Sequence, residues 1–306
     1  MLTPSKLDIP AYLMNVPVSY STNIVNNAWM RDLEEERRNV NITKALKQFF
    51  ELYSFIASEA FVLPVPTPRN CLNLQDLTFV ASFGVVLEHL TTEDVVILPN
   101  FTAEGREGET ELGMKFFEMA GYNTYVSPYK FEGEAELKHL HDNVWVGGYG
   151  IRSDLKTYEW MEREFDMKII KLQEVDEYLY HLDTTVFPIT RKHTLVCTEL
   201  FTRRELAELA QYTEIINVSV DDCYSGICNS MRLHNVILNA SHISELELGT
   251  EEYKVELCKN RKLVDIASEL GCEVRFFNLS EFLKGGALLS CLVMHLNRNS
   301  YNIDLL

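Results

Sequence analysis

Nowhere along this chain does an apolar run approach the roughly 20 residues that a membrane-spanning helix requires, so no membrane partner is expected. Basic residues are scarce: 28 lysines and arginines face 45 aspartates and glutamates, a formal charge of −17. That balance argues against nucleic acid as a partner and favours a small cation drawn into a cleft. The first residues, Met1-Leu-Thr-Pro-Ser-Lys-Leu-Asp8, lack the basic-then-apolar order of a signal peptide. The seven cysteines are odd in number and scattered. Cys223 and Cys228 have no second pair or nearby histidine to complete a zinc set. These absences lead to the expectation of a reduced, cytoplasmic protein with free thiols. Linkers and low-complexity segments are also missing, so residues 1–306 are expected to form one domain, with a core built from 46% hydrophobic residues.

What is present recurs. Ala11-Tyr-Leu-Met-Asn-Val16 reads as a strand, and Asn41 to Ala57 as a helix with Ala45, Leu46, Phe49, Phe50 and Tyr53 on its apolar face. The runs Asp76–Leu87 and Asp94–Leu98 suggest a strand pair. A helix then carries Leu112, Phe116 and Met119 and stops at Gly121, and a strand follows at 123–127. The same order returns at Val144–Gly150, a helix N-capped by Ser153, and Met167–Leu172. It returns again at Asp183–Ile189, His193–Thr198, a helix opened by the capping box Thr202-Arg-Arg-Glu205, and Ile215–Val220. A last pass runs from Asn235–Asn239 through a helix with Leu263, Ile266 and Leu270 to Glu273–Asn278. Such strand–strand–helix–strand units cannot bury their faces alone and are expected to pack around a common centre.

Several segments carry candidate chemistry. Gly285-Gly286 opens the apolar run that holds Cys291, which reads as a buried strand beside an open-backboned turn. A cysteine among leucines is ordinarily a core residue. Phe131-Glu132-Gly-Glu-Ala-Glu136 sets carboxylates beside glycine. Tyr180-His181-Leu-Asp183 places an imidazole and a carboxylate two apart, on one face of an expected strand, where the acid could fix the tautomer for acid/base work. Arg106 and Arg152 follow glycines and suit bidentate recognition of a carboxylate.

Together these segments resemble the guanidino-group modifying superfamily of amidinotransferases and arginine deiminases, and most of all its arginine dihydrolases. The resemblance covers Asn27-Ala-Trp-Met30, Asp76-Leu-Thr-Phe79, Arg106-Glu-Gly-Glu109, Phe131-Glu-Gly, Gly148-Tyr-Gly-Ile-Arg152-Ser, Tyr180-His-Leu-Asp-Thr184 and Phe282-Leu-Lys…Cys291-Leu. It implies an α/β fold, a five-bladed pseudosymmetric propeller (pentein) of ββαβ modules. It also implies a cysteine nucleophile, Cys291, with Glu132 fixing the substrate guanidinium and His181 as acid and then base. Arg106 and Arg152 would grip the α-carboxylate, Asn27 would meet the polar end of the amino acid, and Asp183 and Ser82 would complete the substrate pocket. No metal or organic cofactor is implied. Two features depart from the pattern. Ser82 stands where the dihydrolases carry asparagine, and the segment 241–259 is longer than expected and suggests an inserted helix or partner surface.

The expectation is a hydrolase cleaving guanidine C–N bonds of L-arginine or a close analogue through a covalent thiouronium. It would release ammonia with ornithine or citrulline and act on a small molecule, as a monomer or a homo-oligomer. The alternatives are an amidinotransferase and a non-catalytic arginine-binding protein.

Overall fold

A computed structural model describes residues 3–303, and these form fifteen short strands in five three-stranded sheets. In chain order the strands are β1 (Ala11–Asn15) and β2 (Phe61–Val65), then β3 (Val85–Val86), β4 (Val95–Leu98) and β5 (Asn123–Val126). They continue as β6 (Leu137–His141), β7 (Val144–Tyr149) and β8 (Lys168–Gln173), then β9 (Val186–Pro188), β10 (His193–Val196) and β11 (Glu214–Asn217). The last are β12 (Ser230–Leu233), β13 (Val236–Ala240), β14 (Glu273–Phe277) and β15 (Met294–His295).

Every sheet repeats one plan: an antiparallel pair, then a parallel strand reached through a helix. The crossover helices are α1 (Ile42–Glu59), α2 (Glu109–Met119), α3 (Leu155–Glu164), α4 (Arg203–Leu209) and α5 (Glu251–Glu269). One sheet is assembled from both ends of the chain, in the order β15-β1-β2, which ties the ring shut.

The central strand of each sheet is buried on both faces, whereas outer strands such as β5 and β11 are largely exposed. In β4, Val95 and Ile97 enter one apolar cluster with Trp145 and Ile169, while Val96 and Leu98 enter another with Leu13 and Met294. Five such clusters exist among the described residues, and each joins neighbouring sheets. This is the five-bladed α/β propeller that the resemblance implied, with the core shared between blades. Among the described residues no helix is long and apolar enough to cross a membrane.

Several local expectations are corrected. Residues 76–82 form turns, and their strand shrinks to Val85–Val86. The buried stripe of α1 runs through Ala45, Phe49, Leu52 and Ile56, and leaves Phe50 48% exposed. In α2, Met119 is 78% exposed, and Phe117 takes the place expected for it. Helix α3 is capped by Asp154 rather than Ser153, whose hydroxyl instead accepts from the Glu132 amide at 3.4 Å. The segment 241–259 holds the 3-10 turn Ile243–Glu245, a loop, and the first half of the blade's own crossover helix.

Candidate active site

Ser82, Glu132, His181, Asp183 and Cys291 lie in turns that lead into the first strand of four blades, while Asn27, Arg106 and Arg152 lie just ahead of helices. Ser82 ends the 3-10 turn Val80–Ser82 before β3, and Glu132 precedes the 3-10 turn Gly133–Ala135 before β6. His181 precedes and Asp183 lies within the 3-10 turn Leu182–Thr184 before β9, and Cys291 sits in the 3-10 turn Ser290–Leu292 before β15. The expected strands at Cys291 and at His181–Asp183 are therefore corrected to single turns. A turn can aim consecutive side chains in different directions, and here it does. Gly133 has φ +66, and a Cβ there would lie 2.7 Å from the Ser82 backbone, so the two turns pack main chain to main chain. These turns, with loops 26–27 and 285–287, enclose a cavity of about 30 Å³ free volume lined by Asn27, Ser82, Arg106, Arg152, His181 and Cys291, together with Asn26, Asp76 and Tyr180.

Glu132 is fully buried and ionised. Its Oε2 accepts from His181 Nε2 at 2.8 Å, and Arg152 Nη1 reaches its two oxygens at 3.3 and 3.2 Å. Burial alone would push its pKa up. The His181 hydrogen bond and the Arg152 and Arg106 charges outweigh that and hold it at about 2. Arg152 also donates from Nη2 to the Asn26 carbonyl at 2.7 Å and stacks over the Tyr180 ring at 4.7 Å. The carboxylate expected to hold a substrate guanidinium thus already holds an internal one.

Cys291 occupies a different environment. Its sulfur lies 3.5 Å from Asn229 Nδ2 and 3.8 Å from Asp183 Oδ2. Burial first, and the Asp183 charge second, push the thiol up to about 12. The free protein therefore carries a thiol at neutral pH, and a cation beside it would favour the thiolate. Asp183 faces this side, accepting from Ser290 Oγ at 2.5 Å, and its other oxygen has no hydrogen-bond partner among the described residues. The expected pairing of Asp183 with His181 is not formed, and Glu132 orients the imidazole instead.

The remaining candidates are partly engaged. Arg106 is 4% exposed and forms a two-point pair with fully buried Glu109, Nε to Oε1 at 3.1 Å and Nη2 to Oε2 at 2.7 Å. Asn27 caps helix 28–32 by accepting from the Met30 amide at 2.9 Å and donates to the Gly285 carbonyl at 3.0 Å. It thereby pins the glycine pair over the cavity. The Ser82 side chain, 3% exposed, makes no hydrogen bond among the described residues.

Sequence reasoning missed Asn229, which leads into β12 and completes a set of one turn per blade. The recurrence itself could have found it. The carboxyl pair Glu136 and Glu174 was also missed. Both lie against Gly148, where a Cβ would come within 2.8 and 2.9 Å of the two groups. Burial raises both; the Glu132 charge adds to it at Glu136, which reaches about 8, and the Glu136 charge adds to it at Glu174, so both are pushed toward the neutral acid.

A five-bladed α/β propeller whose central cavity gathers a thiol, an imidazole and a buried carboxylate defines the guanidino-group modifying class. The family model described as eukaryotic N,N dimethylarginine dimethylhydrolase matches residues 16–295, and the chain belongs to that family. It is also 26% identical over 290 residues to the bifunctional arginine dihydrolase/ornithine cyclodeaminase AgrE of Nostoc sp., covering 92% of this chain and 37% of the relative. Similarity to ArgZ of Synechocystis sp., of the same description, is also 26%, over 288 residues, with the same shares covered. The chain thus spans about 37% of the length of these relatives. Among solved structures, the N-terminal domain of ArgZ superposes with a TM-score of 0.79 at 26% identity, covering 94% of this chain and 97% of that domain. That structure is of an asparagine-to-serine variant covalently bound to a reaction intermediate. The domain bound to product, and its cysteine-to-serine variant bound to substrate, also give TM-scores of 0.79, at 25% identity.

Proposed function

We propose that this protein hydrolyses a guanidine C–N bond of L-arginine or a close analogue, with Cys291 as nucleophile. The substrate guanidinium replaces the Arg152 guanidinium on Glu132, which releases Arg152 toward the substrate carboxylate beside Arg106. The cation stabilises the Cys291 thiolate, which attacks the guanidinium carbon. His181 protonates the departing nitrogen as ammonia leaves, giving a thiouronium on Cys291. The same imidazole then takes a proton from water, which attacks the carbon and expels the thiolate as citrulline forms. A second round would convert citrulline to ornithine, carbon dioxide and ammonia.

The observation that carries this reading is the buried, ionised Glu132 at 2.8 Å from His181, which lines the same cavity as Cys291. The cysteine-to-serine variant of ArgZ bound to its substrate, and the serine-bearing variant holding an intermediate, support it from the relatives. Ser82 stands where the dihydrolases carry asparagine. With one short, unpaired hydroxyl it gives a neutral ureido group few partners. The expected product is citrulline, and Ser82→Asn should shift it toward ornithine.

A second reading follows from the matching family model, whose description names dimethylarginine: the smaller Ser82 leaves space for N-methyl groups. Incubating the purified protein with arginine and with dimethylarginine, and assaying citrulline, ornithine, ammonia and dimethylamine, separates the two. Faster release of dimethylamine would favour the methylated substrate. Complete conversion of arginine to ornithine would show that Ser82 does not limit the second hydrolysis. No product from either would overturn both readings.

A further inference from the structure

Four of the five blades have supplied the site residues discussed so far: Ser82, Glu132, His181 with Asp183, and Cys291. The fifth supplies Asn229, one residue before β12 and 2% exposed. Its Oδ1 accepts from the Ser290 backbone amide at 2.8 Å, which fixes the orientation of the side chain and turns Nδ2 toward Cys291 Sγ at 3.5 Å. No other acceptor for that Nδ2 lies within hydrogen-bond reach among the described residues. A thiol is a weak acceptor and a thiolate a strong one, so this contact strengthens as the proton leaves.

The turn that presents Asn229 is itself held rigidly. Asn239 Nδ2 donates to the Gly226 carbonyl at 2.9 Å and to Ser230 Oγ at 2.8 Å. Its Oδ1 in turn accepts from Lys259 Nζ at 3.0 Å. Asn239 and Lys259 are 0% and 1% exposed. A buried lysine on α5 is thus spent on fixing the strand behind the turn.

We propose that Asn229 is a catalytic residue of this site, donating from its side-chain amide to the sulfur of Cys291 and stabilising the thiolate. The proposal rests on Cys291 being the nucleophile. Sulfur meets opposing influences: burial and Asp183 from the β9 turn disfavour negative charge there, while the Leu288 backbone, Asn229 and the more distant Lys138 favour it. Asn229 is the one neutral side chain among these groups that bonds sulfur directly as a donor and also holds the residue before it.

Asn229→Asp separates the two parts of that role. It keeps an acceptor for the Ser290 amide but replaces the donor with a second carboxylate. The readout is the rate at which iodoacetamide alkylates Cys291 in the ligand-free protein from pH 7 to 9.5, followed on the Cys291 peptide by mass spectrometry. Loss of a donor to a charged acceptor corresponds to about 10- to 100-fold. Asn229→Asp should be slower than wild type by at least that factor, and slower than Asn229→Ala. Thermal unfolding of each variant checks that the fold is kept. Wild-type alkylation rates in folded Asn229→Asp would overturn the proposal, whatever the substrate. The nucleophile reading is tested separately by turnover of Cys291→Ser, so either can fail alone.

Discussion

Glu132 and Glu136 belong to one short turn, both with no exposed surface, and they carry opposite charge states. Glu132 is held at about 2 because His181 and Arg152 bond it directly. Glu136 is raised to about 8 by burial first and the Glu132 charge second, against the lowering effect of hydrogen bonds with Glu174, the Leu182 amide and Ser153. Burial raises the pKa of both. What separates them is direct contact with a guanidinium: Arg152, from the loop after β7 of the same blade, bonds Glu132. The centre of the propeller thus divides into an ionised half that can bind a cation and a neutral half that carries structure, where Glu136 Oε2 accepts from the Leu182 amide beside His181 at 3.2 Å.

The largest effect is expected from neutralising the ionised half. Glu132→Gln leaves Arg152 and His181 without their charged partner and gives the substrate no carboxylate. Turnover should fall at least about a hundredfold, and stability by about 3–5 kcal/mol, read from steady-state kinetics and urea unfolding. Glu136→Gln should retain most of its turnover. Equal losses in the two variants would erase the distinction.

Acid should act on the same half. Glu132 and Glu134 are both held at about 2, below the unfolded value of 4.5. A group with a depressed folded pKa contributes stability that is complete above its unfolded pKa and is lost as pH falls through the folded one. The urea midpoint should therefore drop progressively from about pH 5 toward pH 2, and less steeply in Glu132→Gln. An unchanged slope in that variant would mean that Glu132 is not ionised.

The neutral half should respond in the opposite sense and more weakly. Glu136 at about 8, with Glu174 also raised, makes the folded state bind more protons than the unfolded state between pH 4.5 and 8. Stability then declines as pH rises through that window. Glu174→Gln mimics the protonated acid and should flatten the decline, gaining on the order of 1 kcal/mol at pH 8. A variant destabilised at pH 8 would show that the pair is charged.

The blades were legible because central strands such as Val95–Leu98 are aliphatic on both faces and the helices carry caps such as Thr202–Glu205 and the stop at Gly121. The site was legible as residue types in short motifs, but its geometry was not. Turns of three residues, such as Leu182–Thr184 and Ser290–Leu292, are too short to leave a periodicity, so His181 and Cys291 read as strand residues. The same turn sends His181 to Glu132 and Asp183 to the thiol side, which two-residue spacing on a strand forbids. The pairing of Glu109 with Arg106, three residues away, lies within one motif, but Arg152 meets Glu132 across 20 residues and local sequence does not reveal that choice.

The central claim is covalent chemistry at Cys291, a residue that is a neutral thiol until a cation joins it. Acid-quenching the protein during turnover of arginine, followed by mass spectrometry of the Cys291 peptide, tests it directly. The account predicts a peptide carrying the thiouronium adduct, absent without substrate and absent in Cys291→Ser, which should also be inactive. Product formation at wild-type rates by Cys291→Ser would contradict it.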